Sequence, residues 1–257
     1  MAVMDEFKEE REAIKHGTPK EKFSYFIDYY KWYVIIAVLV IIAGVYTIRE
    51  MLNKKEILLY ACLLNTIELD ATEYNNAFIE SLGVNTEKYT LFFDADTWID
   101  KNNIDEATMA NSQKLIARLA AGELDIMITD TDSLTDYSYQ DDFFTMDDLL
   151  SPEQYERYKP YFYYIDLKAM EEWHAYVSDP DNLLLNYSYD FPDPRKPEEM
   201  AAPTPVGIFL DDCEALRSCY HFKTDDVVFC VFANSSHTDT ALEYLEYVML
   251  HNSSAIK

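Results

Sequence analysis

Glycine is scarce in this 257-residue chain, which contains only five. Three of them, Gly83, Gly122 and Gly207, lie beyond residue 50 and stand far apart. A G-x-G-x-x-G loop, a P-loop and a G-x-S-x-G turn each need glycines close together, because the backbone must approach a phosphate or adopt a strained turn. The sequence therefore excludes the commonest nucleotide-binding and serine-hydrolase motifs.

Histidine and cysteine, the usual ligands of transition metals, are also few. The histidines show no HxxxH or HExxH spacing, and the four cysteines include no CxxC pair. Cys62 and Cys230 lie in apolar runs typical of a core, whereas Cys213 and Cys219 are six residues apart and could be bridged only across a turn. We therefore predict no metal site, no cofactor and no catalysis, and the sequence leaves a Cys213–Cys219 disulfide open.

Basic residues are the third shortage, with 21 Lys and Arg against 47 Asp and Glu and a formal net charge of −26. Nucleic-acid binding needs clustered bases, so this balance excludes a nucleic-acid partner. It also argues against a domain lying flat on an anionic membrane. A cationic ligand, a divalent ion and a plain solvated surface all remain compatible with the acidity, and a solvated surface is the commonest case.

One long apolar run is present near the N-terminus. Residues 32–48 carry no charge, and as a helix they would span about 25 Å, close to the hydrocarbon thickness of a bilayer. Lys31 and Arg49 close the run, and Trp32, Tyr33 and Tyr46 lie where an aromatic belt belongs. A cleaved signal peptide does not fit, because about thirty residues rich in acids precede the run. We predict one transmembrane helix over 32–48.

The bases flanking this helix do not decide its orientation, since three precede it and three follow it: Lys20, Lys22, Lys31, Arg49, Lys54 and Lys55. A short tail before a first span usually stays inside the cell. We therefore predict a cytoplasmic helical tail over 1–31 and an extracellular domain over 53–257. Thr18-Pro19-Lys20-Glu21 has the pattern of a capping box that starts the helix. The apolar residues that follow could either enter the interface or dock on a partner membrane protein.

From residue 57 the pattern alternates between short apolar runs and helical periods. Strands are predicted over 57–65, 89–94 and 124–129, with helices over 72–82 and 104–121 between them. Leu115, Ile116 and Leu119 of the second helix are predicted to face inward. This β-α-β-α-β order predicts an α/β domain with a mostly parallel sheet. Further on, the sequence predicts a capped helix at Ser151, a long loop over 178–204, strands at 161–167, 206–210 and 227–233, and a closing helix at 238–251.

Four segments carry a resemblance to type 2 periplasmic solute-binding proteins: AAGELDIMITD (120–130), FFTMDDLLSPEQYERY (143–158), PVGIFLDD (205–212) and VVFCVFANSSHTDTALEYLEYVML (227–250). The resemblance implies two lobes that close on a small ligand without covalent chemistry. Because the domain is short for that family, it also implies a reduced second lobe. The N-terminal segment resembles the anchors of membrane proteins of Gram-positive gut bacteria.

Candidate ligand-binding residues follow from the position of strand ends, because ligands of open α/β sheets bind at the carboxyl ends of strands. We expect a small polar or cationic ligand there, with aromatic faces at the mouth. Aspartates at these ends could instead cap the next helix or turn, or bind calcium, and the whole domain could be a ligand-free interaction module of a membrane complex. The candidates are Asn65, Thr66, Trp98, Asp130, Asp132 and Trp173.

Overall fold

The computed structural model describes residues 18–100, 103, 105–179 and 190–250. The chain divides into two compact units, Met1–Lys54 and Lys55–Lys257, and each is described here by itself. The tail before residue 18, predicted to be helical, lies outside the described residues.

The first unit consists, where described, of one helix, α1, over Pro19–Leu52. It begins at the proline of the predicted capping box, since proline is preorganised for the first helical position. Its segment Lys31–Leu52 is long and apolar enough to cross a membrane, by length and composition. The predicted span 32–48 lies within this segment, so the prediction of one long apolar N-terminal helix is confirmed.

The second unit is built on a six-stranded sheet. The strands are β1 Glu56–Leu63, β3 Tyr89–Asp94, β4 Ile126–Asp130, β5 Phe162–Asp166, β6 Pro203–Phe209 and β8 Val227–Val231. Their order in the sheet is β3-β1-β4-β8-β6-β5. Four of the six strands point the same way, so the sheet is mostly parallel as predicted. β1 pairs in parallel with both β3 and β4, whereas β8 is antiparallel to both of its neighbours and β5 is antiparallel to β6.

Helices cover both faces of this sheet. The α-helices after α1 are α2 Thr72–Ser81, α3 Glu106–Ala120, α4 Thr131–Ser138, α5 Met146–Leu149, α6 Pro152–Tyr158, α7 Leu167–Val177, α8 Glu214–Cys219 and α9 Thr238–Leu250. The sequence predicted α2, α3, α6 and α9, but not α4, α5 or α7. The predicted capping box before α6 is present, with Ser151 and Gln154 bonded reciprocally.

The core has two halves because side chains alternate along each strand. Leu59, Ala61 and Leu63 of β1 face one cluster, which includes side chains from α2, α8 and α9. Tyr60 and Cys62 face the other, which includes side chains from α3, α4 and α7. The domain is therefore a three-layered α/β/α structure, and the mixed α/β prediction is confirmed.

A two-stranded antiparallel ribbon stands apart from the main sheet and was not predicted. It joins β2, Thr66–Glu68, to β7, Tyr220–Phe222. β1 ends at Leu63, two residues earlier than predicted, because Asn65 turns the chain with a left-handed φ of 55°.

Three details differ from, or complete, the sequence predictions. Ile116, predicted to face inward, is 62% exposed. Cys213 and Cys219 are both buried as free thiols, so the open question of a disulfide between them is answered in the negative. Of the predicted loop 178–204, residues 180–189 lie outside the described part, and the remainder contains a 3-10 helix, Pro197–Glu199, before β6 begins.

The two-lobed architecture implied by the resemblance to solute-binding proteins is not confirmed.

Candidate functional site

Three polar side chains meet at the carboxyl ends of β1 and β4 and form what we call the strand-end network: Asn65, Asp130 and Ser133. The Asn65 amide Nδ2 donates to Ser133 Oγ at 2.7 Å, and Ser133 Oγ donates to an Asp130 carboxylate oxygen at 2.9 Å. The Asn65 carbonyl Oδ1 accepts from the backbone N–H of Ile99 at 2.7 Å. All three members of the network are buried.

Local backbone geometry explains why these residues meet. Asp130 is the N-cap of α4, and its carboxylate accepts from the backbone N–H of Ser133 at 3.0 Å. Thr129 adds a bond across the same strand pair, since its hydroxyl donates to the carbonyl of Leu64 at 2.9 Å. Thr66 donates to that same carbonyl at 3.1 Å. The polar atoms at this sheet edge therefore bind one another.

The aspartates at this edge differ in their surroundings. Asp130 caps α4, which is the alternative role that the sequence had left open, and it is 1% exposed. Asp132 lies in the first turn of α4 and is exposed to solvent. A single ligand in contact with both carboxylates would have to open the buried network, because a buried hydrogen-bonded group is costly to leave unpaired.

The two candidate tryptophans occupy different surroundings. Trp98 is 45% exposed, and its backbone carbonyl accepts from Asn111 Nδ2 at 2.8 Å. Its neighbour Ile99 bonds to Asn65, so the loop carrying Trp98 adjoins the strand-end network. Trp173 belongs to α7, and its ring contacts Tyr176 and Phe191 at centroid distances of 6.0 and 5.9 Å. The described contacts therefore bring Trp98, but not Trp173, to the network.

Asp94, at the carboxyl end of β3, is held by cations from α3. It forms ion pairs with Lys114 at 3.1 Å and with Arg118, and it accepts from the backbone N–H of Asp96. Burial raises the pKa of this carboxyl, but the hydrogen bonds from Lys114, Asp96 and Arg118 outweigh burial and hold the pKa below its usual range. Asp94 thus clamps α3 to the sheet. Within the described ranges, no group of three His, Cys, Asp or Glu side chains is placed to hold a metal ion.

Asp125, His237 and Ser235 form a cluster that sequence reasoning missed. The buried Asp125 carboxylate accepts from the backbone N–H of Tyr60 at 2.8 Å and from Ser235 Oγ at 2.7 Å, and it lies 3.1 Å from His237 Nδ1. In a hydrolase triad the serine would bond to the other imidazole nitrogen, Nε2. Here Ser235 bonds to the carboxylate instead. The cluster fastens the start of α9 to β1 and does not have the geometry of an activated nucleophile.

A groove of about 670 Å³ lies beside the carboxyl-terminal half of α3. We call it the α3 groove, and its walls come from α3, from the end of α4 with the two aspartates that follow, and from the loop after β8. Its apolar character was not predicted, because Ile116 had been assigned to the core. The lining residues are Leu115, Ile116, Leu119, Ala120, Tyr137, Gln140, Asp141, Asp142, Ala233 and Asn234.

Comparisons of the chain with protein-family models, with curated proteins and with solved structures found no match. The site must therefore be interpreted from its own geometry.

Proposed function

We propose that this protein is a membrane-anchored interaction module: its N-terminal helix spans a bilayer, and its acidic α/β domain binds another protein of a membrane complex outside the cell. The observation that carries this proposal is the strand-end network. The groups best placed to receive a small ligand, Asn65 and Asp130, are buried and bonded to Ser133 instead.

The anchor supports the membrane half of the proposal. Lys31–Leu52 has the length and composition of a span, and its apolar side chains are exposed within their own unit. The acidic domain supports the choice of a protein partner over nucleic acid or an anionic bilayer. Residues 53–257 carry 39 acids against 14 bases, a net charge of −25, which repels both.

A solute-binding function is the second candidate, and one observation favours it. The α3 groove, at about 670 Å³, falls within the size range of small-molecule sites. Under this alternative the groove would bind a small polar or cationic ligand without catalysis, and the strand-end network, which does not line the groove, would stay closed.

Native mass spectrometry of the full chain, extracted from its own membrane in mild detergent, separates the two functions. The interaction module should retain additional protein subunits and carry no small molecule at one copy per chain. A small molecule bound at that stoichiometry, and lost from a folded Ile116→Gln variant, would contradict the proposal. Ser133→Ala serves as a structural control, since it should cost about 1–3 kcal/mol of stability without changing the complexes.

A further inference from the structure

Charge is segregated around helix α3. The helix has two basic residues, Lys114 and Arg118, and both are paired with Asp94 at the end of β3. The lining of the α3 groove contains no base, and its charged members are Asp141 and Asp142. One side of α3 therefore has both of its bases paired with Asp94, while the groove side presents apolar surface next to two carboxylates.

These two carboxylates are poorly compensated. Burial raises the pKa of Asp142, and the neighbouring negative charge of Asp141 raises it further. The carboxyl-terminal end of α3, which runs to Ala120, adds the negative end of a 15-residue helix dipole to the same region. A positive charge placed here would relieve the repulsion between these two carboxylates.

The walls of the groove are apolar and open. Leu115 forms its buried floor, while Ile116 is 62% exposed and Ala120 is exposed beside it. Small-molecule sites usually enclose most of their ligand, whereas a groove along a helix covers only one side of its occupant. One covered side suits an amphipathic helix, which inserts an apolar stripe and leaves its other face in solvent.

We propose that the α3 groove is the docking site for a basic amphipathic helix of a partner protein. Leu or Ile side chains of that helix lie against Leu115, Ile116 and Leu119, and a Lys or Arg one turn away pairs with Asp141 and Asp142. This inference rests on the proposed function, because it names the class of partner that the interaction module binds.

The test uses the full chain in phosphatidylcholine nanodiscs and a fluorescein-labelled model helix. The helix contains Leu at positions i, i+3, i+4 and i+7 with Lys beside them, and a second helix carries Glu in place of Lys. Binding is measured by fluorescence anisotropy in about 0.15 M salt, where long-range attraction is screened. We expect the Lys helix to bind and the Glu helix not to bind.

Three variants locate the binding. Asp141→Asn with Asp142→Asn should weaken binding about tenfold, because rim charges set part of the attraction. Ile116→Gln should weaken it by about as much, since a central apolar anchor is lost. Glu80→Gln with Glu87→Gln removes the same charge from exposed positions outside the groove lining, and it should change binding less than about twofold.

Several results would overturn the inference. Equal weakening by the two charge-removing pairs would show attraction to the bulk acidic surface, and unchanged binding by Ile116→Gln would place the helix elsewhere. Butylammonium binding as tightly as the Lys helix would assign the groove to a small cation, and self-association blocked by Ile116→Gln would assign it to a second copy of the chain. If the helix fails to bind while native mass spectrometry still finds bound subunits, only the docking site is wrong and the interaction module stands.

Discussion

At the scale of single residues, the domain contains buried hydroxyl groups that form a hydrogen bond beside others that form none among the described residues. Asn75 Nδ2 donates to the hydroxyl of Tyr220 at 2.9 Å. The hydroxyls of Tyr74 and Tyr244, however, are buried without a hydrogen-bond partner among the described residues. Burial also raises the pKa of Tyr244 well above its ordinary value, so the hydroxyl stays neutral. Tyr220 and Tyr244 are thus both fully buried, but of the two only the Tyr220 hydroxyl forms a hydrogen bond with a described residue.

This difference predicts opposite effects for the same chemical change. Tyr220→Phe leaves the Asn75 amide unpaired, so we expect a loss of about 1–3 kcal/mol in the free energy of unfolding. Tyr244→Phe removes a group that contributes no bond, so stability should stay the same or rise by up to about 1 kcal/mol. Denaturant unfolding of the full chain in detergent measures both. Equal losses in the two variants would contradict the assignment.

The candidate site shows what sequence can indicate at this scale. Asn65 and Asp130 lie at one edge of the sheet, because parallel neighbours deliver their carboxyl ends together. The sequence could not show that Ser133, 68 residues from Asn65, closes the space between them. That outcome depends on the left-handed backbone at Asn65 and on where α4 starts, and neither has a local pattern.

At the scale of elements, the contact between β6 and β8 is tightly constrained at Gly207. Gly207 has no side chain, and a Cβ placed there would lie 2.7 Å from Cys230 Sγ and 2.8 Å from Val228 Cγ1 on the neighbouring strand. These distances are shorter than carbon–sulfur or carbon–carbon contact allows, so the position accepts only glycine without a shift of β8. The glycine fixes how closely the neighbouring antiparallel strands β6 and β8 pack.

We therefore expect Gly207→Ala to destabilise the domain by about 1–3 kcal/mol, as overpacking of a filled core does. Gly44→Ala in α1 is the matched control. Apart from the helix's own backbone, no atom of the described residues lies within 4 Å of a Cβ at that position, and alanine favours helix. Thermal unfolding should show a lower midpoint for the first variant only. A parent-like midpoint for Gly207→Ala would mean that β8 relaxes freely.

Element prediction succeeded where the pattern is local. β3 runs from Tyr89 to Asp94 as predicted, and the capping box before α6 is recognisable from Ser151 to Gln154 alone. The insertion of β8 between β4 and β6 was not predicted. Its register pairs Ile126 with Val231, more than a hundred residues apart, and short apolar runs do not specify such partners.

At the scale of the whole molecule, the two units lead to a prediction about topology. With the anchor spanning the membrane and the tail inside, protease added to intact protoplasts should digest residues 53–257 and leave an N-terminal tag protected. Disruption of the membrane should then expose the tag. The flanking bases do not bias the result, since equal numbers lie on each side. Protection of the large domain would reverse the orientation and place any partner in the cytoplasm.

The four buried cysteines are natural probes of local opening in the domain. Cys62 and Cys230 lie in the core half beneath α3, and Cys213 and Cys219 lie in the half beneath α9. Burial raises the pKa of Cys62 and of Cys213 to about 12, so these thiols stay protonated and inert while the fold is closed. Alkylation can then proceed only when local opening exposes a thiol. The alkylation rate of each cysteine therefore reports how often its own half of the core opens. A partner bound in the α3 groove would lower the alkylation rates of Cys62 and Cys230 and leave those of Cys213 and Cys219 unchanged.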